Sequence, residues 1–425
     1  MSLRTRVDLI VHSATQLLTL EGGPQRGTDF GRLGLIADGA VAISDGMIQA
    51  AGPSKDVRGR YVAAHELDAS GKVVLPGFVD AHTHLVWAGD RAAEFEQRLA
   101  GATYMEILAA GGGILSTLRE TRAASEDALL HSARARLRRM AEHGTTTAEA
   151  KTGYGLDLET ELRMLRVIRR LQEEGPIKII PTFLGAHAVP PEFVGDPGGY
   201  TTFLVNEALP AVRDWWVLNA GTDPLPFTDV FCEEGAFSPE QARRILQRAS
   251  ELGFPLKIHA EEFSSFGAAR LAVEMGAVSA DHLNRIQAAD IAALGRSSTV
   301  AVLLPATPFG LADPTYAPAQ ALIEAGAIVA LGSDLNPGTA WCENLQFVMA
   351  LACRAMRLTP AQAVAAATIN AAAAVGCSDQ VGSLEPGKDA DFVLLEVEDY
   401  RHIAYRFGGN LAAAVYRQGK RISPG

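Results

Sequence analysis

The sequence predicts an α/β protein, a (β/α)8 barrel of the TIM type with a small composite β-sandwich domain formed by both chain termini. Between residues 71 and 376, eight short apolar segments alternate with segments of helical periodicity. Segments this apolar suit parallel strands that are buried on both faces of a sheet. Residues 1–70 and 377–425 contain short strands and tight turns instead, and neither piece alone could bury a core.

The N-terminal piece contains a β-hairpin signal. Apolar residues at 41–43 and 47–48 flank Asp45 and Gly46. Both central residues of a type I′ turn must accept positive φ, and Asp-Gly is typical of such turns. This piece therefore predicts antiparallel strands rather than the strand–helix alternation of the barrel.

The predicted barrel strands are separated by helices with recognisable ends. Ser238 and Thr359 each supply a capping hydroxyl, followed by Pro at the first helical position and Gln at the third. Ser125 opens another helix, and the connection at residues 86–144 is long enough to contribute to a site. The predicted strands are residues 73–85, 145–153, 177–187, 229–236, 256–262, 278–283, 300–305 and 328–334.

Composition argues against several classes of protein. The net charge is −11 and there is no dense basic segment, so we expect no nucleic-acid partner. No apolar segment fits a signal peptide or a transmembrane helix, and we expect no membrane association. Four widely spaced cysteines without a CxxC pair favour the cytoplasm over an oxidising compartment. A small-molecule substrate is therefore the expected partner.

Histidines at predicted strand ends indicate a metal site. His82 and His84 stand two residues apart after an apolar segment, so their side chains point the same way in an extended chain. His259 closes the fifth predicted strand and Asp334 closes the eighth. Three imidazoles and one carboxylate leave a coordination position open for water, as catalytic zinc or iron sites do. Taken singly, the H-x-H pair could be chance and Asp334 could be a helix N-cap.

Two more histidines, His187 and His282, also fall at predicted strand ends. Active sites of this barrel gather at the carboxyl ends of its strands, so both are candidates for the site. The remaining five are interpreted as structural or surface residues: His12, His65, His131, His143 and His402.

Four segments resemble the amidohydrolase superfamily over essentially the whole chain: P-G-F-V-D-A-H-T-H at 76–84, the strand with His259, G-S-D at 332–334, and G-S-L-E-P-G-K-D-A-D at 382–391. Three more resemble the imidazolonepropionase family within it: A-K-T-G-Y-G-L at 150–156, T-F-L-G-A-H-A at 182–188 and D-L-N-P-G-T at 334–339. The resemblance implies hydrolysis of 4-imidazolone-5-propanoate to N-formimidoyl-L-glutamate in histidine degradation. It also implies one zinc or iron ion per chain and a homodimer.

The resemblance also implies roles for individual residues. The metal ligands would be His82, His84, His259 and Asp334, and His282 and Asp334 would share the proton transfers. Glu262 would lie beside the substrate ring, and Arg91 would bind the propanoate carboxylate, for which a guanidinium is suited. The further substrate contacts would be Tyr104, Tyr154, His187, Asn336, Gly338 and Thr339. Without the resemblance, packing is the commoner role of a lone aromatic residue, and a loop arginine is usually on the surface.

Other interpretations use the same residues. The metal site alone also permits an aminohydrolase that deaminates a purine- or pyrimidine-like ring, and a metal-free scaffold protein is a third possibility. Lys151 could be the carboxylated lysine of a two-metal site, but we favour a single metal and a structural role for Lys151. The segment from Gly382 to Lys388 nearly spells a phosphate-binding loop, but Asp389 stands where Ser or Thr must hold Mg²⁺.

Overall fold

The computed structural model describes residues 4–101 and 111–423, and its strands form two sheets of eight strands each. In chain order the strands are β1 (Thr5–Leu18), β2 (Leu35–Ser44), β3 (Met47–Pro53), β4 (Tyr61–Asp68), β5 (Val73–Pro76), β6 (Phe78–Asp80), β7 (Thr145–Lys151), β8 (Lys178–Ala186), β9 (Phe227–Cys232), β10 (Lys257–Ala260), β11 (Ser279–His282), β12 (Val300–Leu303), β13 (Val329–Leu331), β14 (Phe392–Leu395), β15 (Ala412–Arg417) and β16 (Lys420–Arg421).

The α-helices of the described residues mostly follow the strands of the second sheet. They are α1 (Ser54–Arg60), α2 (Ala92–Leu99), α3 (Ile114–Ala123), α4 (Glu126–Glu142), α5 (Leu158–Glu174), α6 (Pro197–Phe203), α7 (Leu209–Asn219), α8 (Pro239–Glu251), α9 (Ala268–Met275), α10 (Ala288–Gly295), α11 (Ala306–Leu311), α12 (Ala319–Glu324), α13 (Leu345–Ala355), α14 (Pro360–Ala366), α15 (Ile369–Ala374) and α16 (His402–Tyr405). No helix in these ranges is both long and apolar enough to cross a bilayer.

Strands β6 to β13 form a parallel sheet in sequential order, which confirms the predicted (β/α)8 barrel. The barrel closes just beyond β6 and β13, where Thr83 and Leu335 form a parallel bridge. At this seam Asp334 N donates to His82 O at 3.0 Å, and His84 N donates to Leu335 O at 2.9 Å. A Cβ on Gly332 would lie 3.0 Å from the Cβ of His82, so glycine at this position permits the close approach of the two chain segments. Closure itself therefore brings the H-x-H motif beside Asp334.

The predicted helix ends are present in the structure. Ser238 and Thr359 each form a capping box, at the start of α8 and α14 respectively. Ser125 accepts a hydrogen bond from Ala128 N at the start of α4. The buried side chains of α8 are Ala242, Ile245, Leu246 and Ala249, spaced as one face of a helix.

Both ends of the chain contribute to the other sheet, whose order is β16-β15-β14-β5-β1-β2-β3, with β4 also paired to β1. The predicted hairpin is present between β2 and β3, and Asp45 and Gly46 both have positive φ. Val41 and Ile43 from the N-terminal part pack in one cluster with Phe392 from the C-terminal part. We propose on this basis that residues 1–70 and 377–425 are one composite domain beside a barrel of residues 71–376.

Two predicted elements are each divided in the structure. The predicted strand at 73–85 becomes β5, which joins the sheet of the termini, and β6, which opens the barrel. The chain changes sheets at Gly77, where a Cβ would overlap the side chain of Thr146. The predicted helix after Thr359 becomes α14 and α15, because Thr368 between them has non-helical angles, with φ −131° and ψ −96°.

Candidate active site

The carboxyl ends of the barrel strands bring the predicted site residues together. His82 and His84 follow β6 in extended chain, rather than lying within the predicted strand, and both remain buried. His259 lies in β10 and Asp334 follows β13. His282 ends β11 with a φ of 79°, a value that non-glycine residues rarely adopt and that often occurs at functional sites.

Four side-chain atoms converge on one point at this end of the barrel. Nε2 of His84 lies 3.4 Å from Nε2 of both His82 and His259. Oδ1 of Asp334 lies 3.5 Å from Nε2 of His82 and from Nε2 of His84. Four ligands of a tetrahedral metal ion, bound at about 2.1 Å, lie about 3.4 Å from one another. Ligand atoms of His82, His84 and Asp334 all lie within 4.8 Å of one another, a spacing that fits a single zinc-sized ion, and Nε2 of His259 adjoins that of His84.

Buried carboxylates lie behind two of the imidazoles, on the Nδ1 side of each ring. His82 Nδ1 lies 2.6 Å from Oδ2 of Asp281, and His259 Nδ1 lies 3.0 Å from Oδ2 of Asp229. A carboxylate opposite Nδ1 favours the tautomer that carries its proton there, which leaves Nε2 free to bind a metal. Burial lowers the pKa of His82 well below its usual value, and the positive charge of Lys151 adds to this, so the ring is neutral.

A layer of buried charges supports the cluster from inside the barrel. Nζ of Lys151 lies 2.6 Å from Asp229 and 2.8 Å from Glu149, and Nζ of Lys257 lies 2.9 Å from Glu149. Both ammonium groups also face Asp281, at 3.8 and 3.6 Å. Burial would lower the pKa of Lys151, but the neighbouring carboxylates outweigh it and raise that pKa, so the ammonium form persists. In this structure Lys151 is an ion-pair partner.

The pocket above the cluster is lined by most of the predicted substrate contacts. Arg91, Tyr154, His187, Asn336 and Thr339 all line it, together with His84, His259, His282, Asp334 and Glu262. Gly338 lies behind Arg91, since a Cβ there would overlap Nη1 of that guanidinium. Tyr104 lies outside the described residues.

Arg91 is held so that part of its guanidinium remains available to the pocket. Its Nε donates to Glu94 at 2.7 Å, and the other carboxylate oxygen of Glu94 accepts from Gly113 N at 3.0 Å. A guanidinium bound through Nε keeps its two terminal nitrogens for another anion. This arrangement can bind a carboxylate in two-point geometry.

His187 stacks on a predicted metal ligand. Its ring lies 4.8 Å from the ring of His84 at an angle of 18°. Nδ1 of His187 donates to Gly153 O at 2.9 Å, because a carbonyl can only accept. Burial lowers the pKa of His187 to about 3, so its Nε2 is available as an acceptor.

Glu262 and His282 form a second pair beside the cluster. Oε2 of Glu262 lies 3.6 Å from Nε2 of His282, and neither ring nitrogen of His282 has a hydrogen-bond partner among the described residues. Burial raises the pKa of Glu262 well above its usual value, and the charges of Asp334 and Glu233 raise it further. A protonated carboxylic acid and an unpartnered imidazole are therefore available for proton transfer.

Comparison with known proteins agrees with this geometry. A sequence model described as the Amidohydrolase family matches residues 97–422. An imidazolonepropionase of Chloroflexus aggregans is 51% identical over 420 residues, which are 98% of this chain and 98% of that protein. An imidazolonepropionase of Herpetosiphon aurantiacus is 47% identical and covers 98% of this chain and 97% of that protein. The chain belongs to the imidazolonepropionase family of amidohydrolases.

Solved structures at lower identity share the fold of this imidazolonepropionase family member. E. coli guanine deaminase superposes with a TM-score of 0.74 at 15% identity, covering 98% of this chain and 99% of that chain. A zinc-bound adenosine deaminase from Xanthomonas campestris gives a TM-score of 0.70 at 20% identity, covering 99% and 93%. A triazine hydrolase variant gives 0.75 at 16% identity, covering 98% and 94%.

Several residues of the candidate site in this imidazolonepropionase family member could not be identified from the sequence. Ile114, Phe231 and Phe263 line the pocket but lie outside any motif. Asp229 contacts His259 from the neighbouring strand β9, and Asp281 contacts His82 from the non-adjacent strand β11. The only sequence signal for the two aspartates is a charged residue inside an otherwise apolar strand segment.

Proposed function

We propose that the protein hydrolyses the cyclic amide of 4-imidazolone-5-propanoate to N-formimidoyl-L-glutamate, a step of histidine degradation. The observation that carries the proposal is the His84, His259 and Asp334 cluster in one pocket with Arg91. It combines a metal-binding site with a cation suited to the propanoate carboxylate. The identity of about half of all residues to proteins named imidazolonepropionase supports the same activity.

We assign His82, His84, His259 and Asp334 as the ligands of one zinc or iron ion. Nitrogen and oxygen ligands suit both metals, so either ion fits this donor set. When bound, the ion supplies positive charge that polarises the amide carbonyl and activates a water molecule as the nucleophile. The other oxygen of Asp334 accepts from Thr307 Oγ1 at 2.5 Å, which keeps Oδ1 directed at the imidazoles.

The remaining groups of the site transfer and place protons. His282 and Asp334 share the transfers, since the ring nitrogens of His282 have no hydrogen-bond partner within residues 4–101 and 111–423 and Asp334 Oδ1 lies at the cluster. Glu262, protonated in its buried position, donates a hydrogen bond to the substrate ring. The leaving ring nitrogen needs one proton, and the acid Glu262 with its neighbour His282 can deliver it.

The tail of the substrate is fixed at the other side of the pocket. We place its carboxylate on the terminal nitrogens of Arg91, with Tyr154 and His187 along the ring. Asn336 shapes the adjacent loop, because its Oδ1 accepts from Gly338 N and Thr339 N, both at 2.8 Å. Tyr104 remains a predicted substrate contact from the sequence.

The cellular setting is also a proposal. All four cysteines are free, which suits the reducing cytoplasm. A homodimer is expected from the resemblance alone, and a nucleic acid or membrane partner is not expected from the composition.

A turnover assay tests the proposal against deamination of a nucleobase. Purified metal-loaded protein is given 4-imidazolone-5-propanoate, guanine or cytosine at equal concentrations, and each product is quantified. We expect turnover of the imidazolone only, because Arg91 requires a carboxylate that the nucleobases lack. Activity on the nucleobases alone would overturn the proposal in favour of an aminohydrolase.

A further inference from the structure

The loop after β7 carries one wall of the pocket in an unusual backbone conformation. Tyr154 lies in this loop, between Gly153 with a φ of 106° and Leu156 with a φ of 56°. A Cβ on Gly153 would lie 2.8 Å from Leu184 O, so only glycine fits there. A loop with left-handed residues on both sides of Tyr154 needs an external partner to hold it.

That partner is the carboxylate of Glu161, in the first turns of α5. Its Oε1 accepts from Gly155 N at 2.8 Å and from Leu156 N at 2.9 Å, and Oε2 accepts from Gly153 N at 3.1 Å. The hydroxyl of Thr152 also hydrogen-bonds to it. Glu161 is only 2% exposed. Four residues of one strained loop are thus tied to a single buried side chain, and neither they nor Glu161 are among the residues that line the pocket.

The same loop controls a second pocket residue. Gly153, which donates its N–H to Glu161, accepts through its carbonyl from Nδ1 of His187 at 2.9 Å. The ring of His187 lies 5.3 Å from the ring of Tyr154 and stacks on His84. A displacement of Gly153 would therefore move Tyr154 and release His187 together.

We propose that Glu161 is a positioning residue for substrate binding, which fixes Tyr154 and His187 through the backbone of residues 153–156. The inference rests on the proposed function for its substrate, although the geometry of the loop stands without it. As a carboxylate, Glu161 can only accept hydrogen bonds, whereas an amide in its place would set an N–H₂ group against backbone N–H groups. Loss of the negative charge would leave these donors unpaired in a buried site.

The test compares Glu161→Gln with Glu159→Gln, two residues away on α5. Glu159 has a side chain 83% exposed, and its partner among the described residues is Arg163 at 3.2 Å, so it matches the chemical change without the loop contacts. With zinc-loaded protein and 4-imidazolone-5-propanoate, we expect Glu161→Gln to lower kcat/KM per bound zinc by about tenfold or more, mostly through KM. Glu159→Gln should match the wild type.

A spectroscopic arm reports on the loop without turnover. In ¹H–¹⁵N spectra of histidine side chains, the Nδ1–H signal of His187, assigned by its loss in His187→Gln, should shift or disappear in Glu161→Gln and persist in Glu159→Gln. A wild-type kcat/KM together with an unaltered His187 signal in Glu161→Gln overturns the inference. If the wild type does not turn over the imidazolone, the proposed function fails, and the His187 signal alone decides the role of Glu161.

A second variant covers the case in which Glu161→Gln does not fold. Glu161→Asp keeps the negative charge, but its side chain is shorter by one methylene. Its carboxylate therefore cannot reach all the loop donors at once. We expect a smaller loss of kcat/KM per bound zinc and a shifted His187 signal. Wild-type values for both in a folded Glu161→Asp would refute the positioning role.

Discussion

Oδ2 of Asp281 lies 2.6 Å from Nδ1 of His82, and both side chains are fully buried in the barrel. Asp281 is itself held by Ser279 Oγ, which donates to its other oxygen at 2.6 Å, and it faces the ammonium groups of Lys151 and Lys257. A carboxylate in this position fixes the tautomer and the orientation of a metal-binding imidazole. The charge layer beneath the cluster is therefore part of the proposed metal site.

Asp281→Asn should weaken metal binding. The amide keeps the shape of the side chain but removes the negative charge opposite His82. It also leaves Lys151 and Lys257 with one carboxylate neighbour fewer. We expect the affinity for zinc to fall roughly 10- to 100-fold, as for other residues that support metal ligands. Competition with a chelator of known affinity measures this. Asp313→Asn, at a surface aspartate paired with Arg285, is the control, and equal chelator midpoints for both variants would contradict the prediction.

His259→Ala should lose the metal and the activity while remaining folded. Asp229, which faces His259, keeps an ion pair with Lys151 at 2.6 Å, so the substitution leaves no unpaired buried charge. Metal analysis and circular dichroism check the two parts of this prediction. His131→Ala, at an exposed position of α4, should keep both metal and turnover. Full turnover by His259→Ala would show that the ligand assignment is wrong.

The sequence predicts the barrel because its strands are short apolar segments with capped helices between them. Ser238 and Thr359 illustrate this, since a capping box depends only on neighbouring residues. The division of residues 73–85 between two sheets was not predictable in this way. The apolar pattern continues unbroken through Gly77, and only the pairing of β5 with β1 and β14 reveals the change of sheet.

The candidate site was predictable where a motif marks it and not where the partners of a motif residue lie on other strands. His82 and His84 stand out in the sequence because they are two residues apart. Asp229 and Asp281 do not, because each contacts its histidine from a different strand. Such contacts depend on the order of strands around the barrel, which no local pattern specifies.

Arg91→Lys should weaken substrate binding more than it slows the chemical step. Lysine keeps the positive charge but loses the planar fork that Glu94 orients through Nε at 2.7 Å. We expect KM for 4-imidazolone-5-propanoate to rise roughly tenfold or more, with a much smaller change in kcat, as steady-state kinetics can measure. Arg119→Lys, at an exposed position of α3, is the control. A loss confined to kcat would place Arg91 in the chemical step instead.

Glu262 should give the activity an alkaline limit. Burial, with the charges of Asp334 and Glu233, raises its pKa well above the usual range, so the carboxyl is protonated at neutral pH. The active, protonated form is then lost as pH rises through this raised pKa, and kcat/KM should fall there.

Glu262→Gln tests this assignment, because the amide cannot lose a proton in that range and still donates a hydrogen bond. The measurement is a pH profile of kcat/KM. We expect the variant to keep part of the activity, and we expect its kcat/KM not to show the fall at high pH that Glu262 causes in the wild type. Glu234→Gln, at an exposed neighbour, should retain the wild-type profile. An unchanged alkaline limb in Glu262→Gln would assign that limb to another group.

Asp391 should make the protein less stable as pH rises through the weakly acidic range. Its Oδ1 accepts from Gln418 N at 2.8 Å, but its buried Oδ2 has no hydrogen-bond partner among the described residues. Burial raises the pKa of Asp391 to about 6 in the folded protein, above its usual value of 3.8. Because the folded state holds the proton more tightly, the free energy of unfolding falls as pH rises from about 4 to about 6 and stays lower above that.

Asp391→Asn removes this penalty, because the amide oxygen can still accept from Gln418 N and no charge is buried. We expect the variant to match the wild type near pH 4 and to exceed it by about 3 kcal/mol at pH 8, from a pKa difference of roughly two units. Thermal unfolding of both proteins between these pH values measures the effect. Asp127→Asn, at an exposed aspartate paired with Arg170 at 2.9 Å, should show no such gain. A less stable Asp391→Asn at pH 8 would mean that Oδ2 has a favourable partner as a carboxylate.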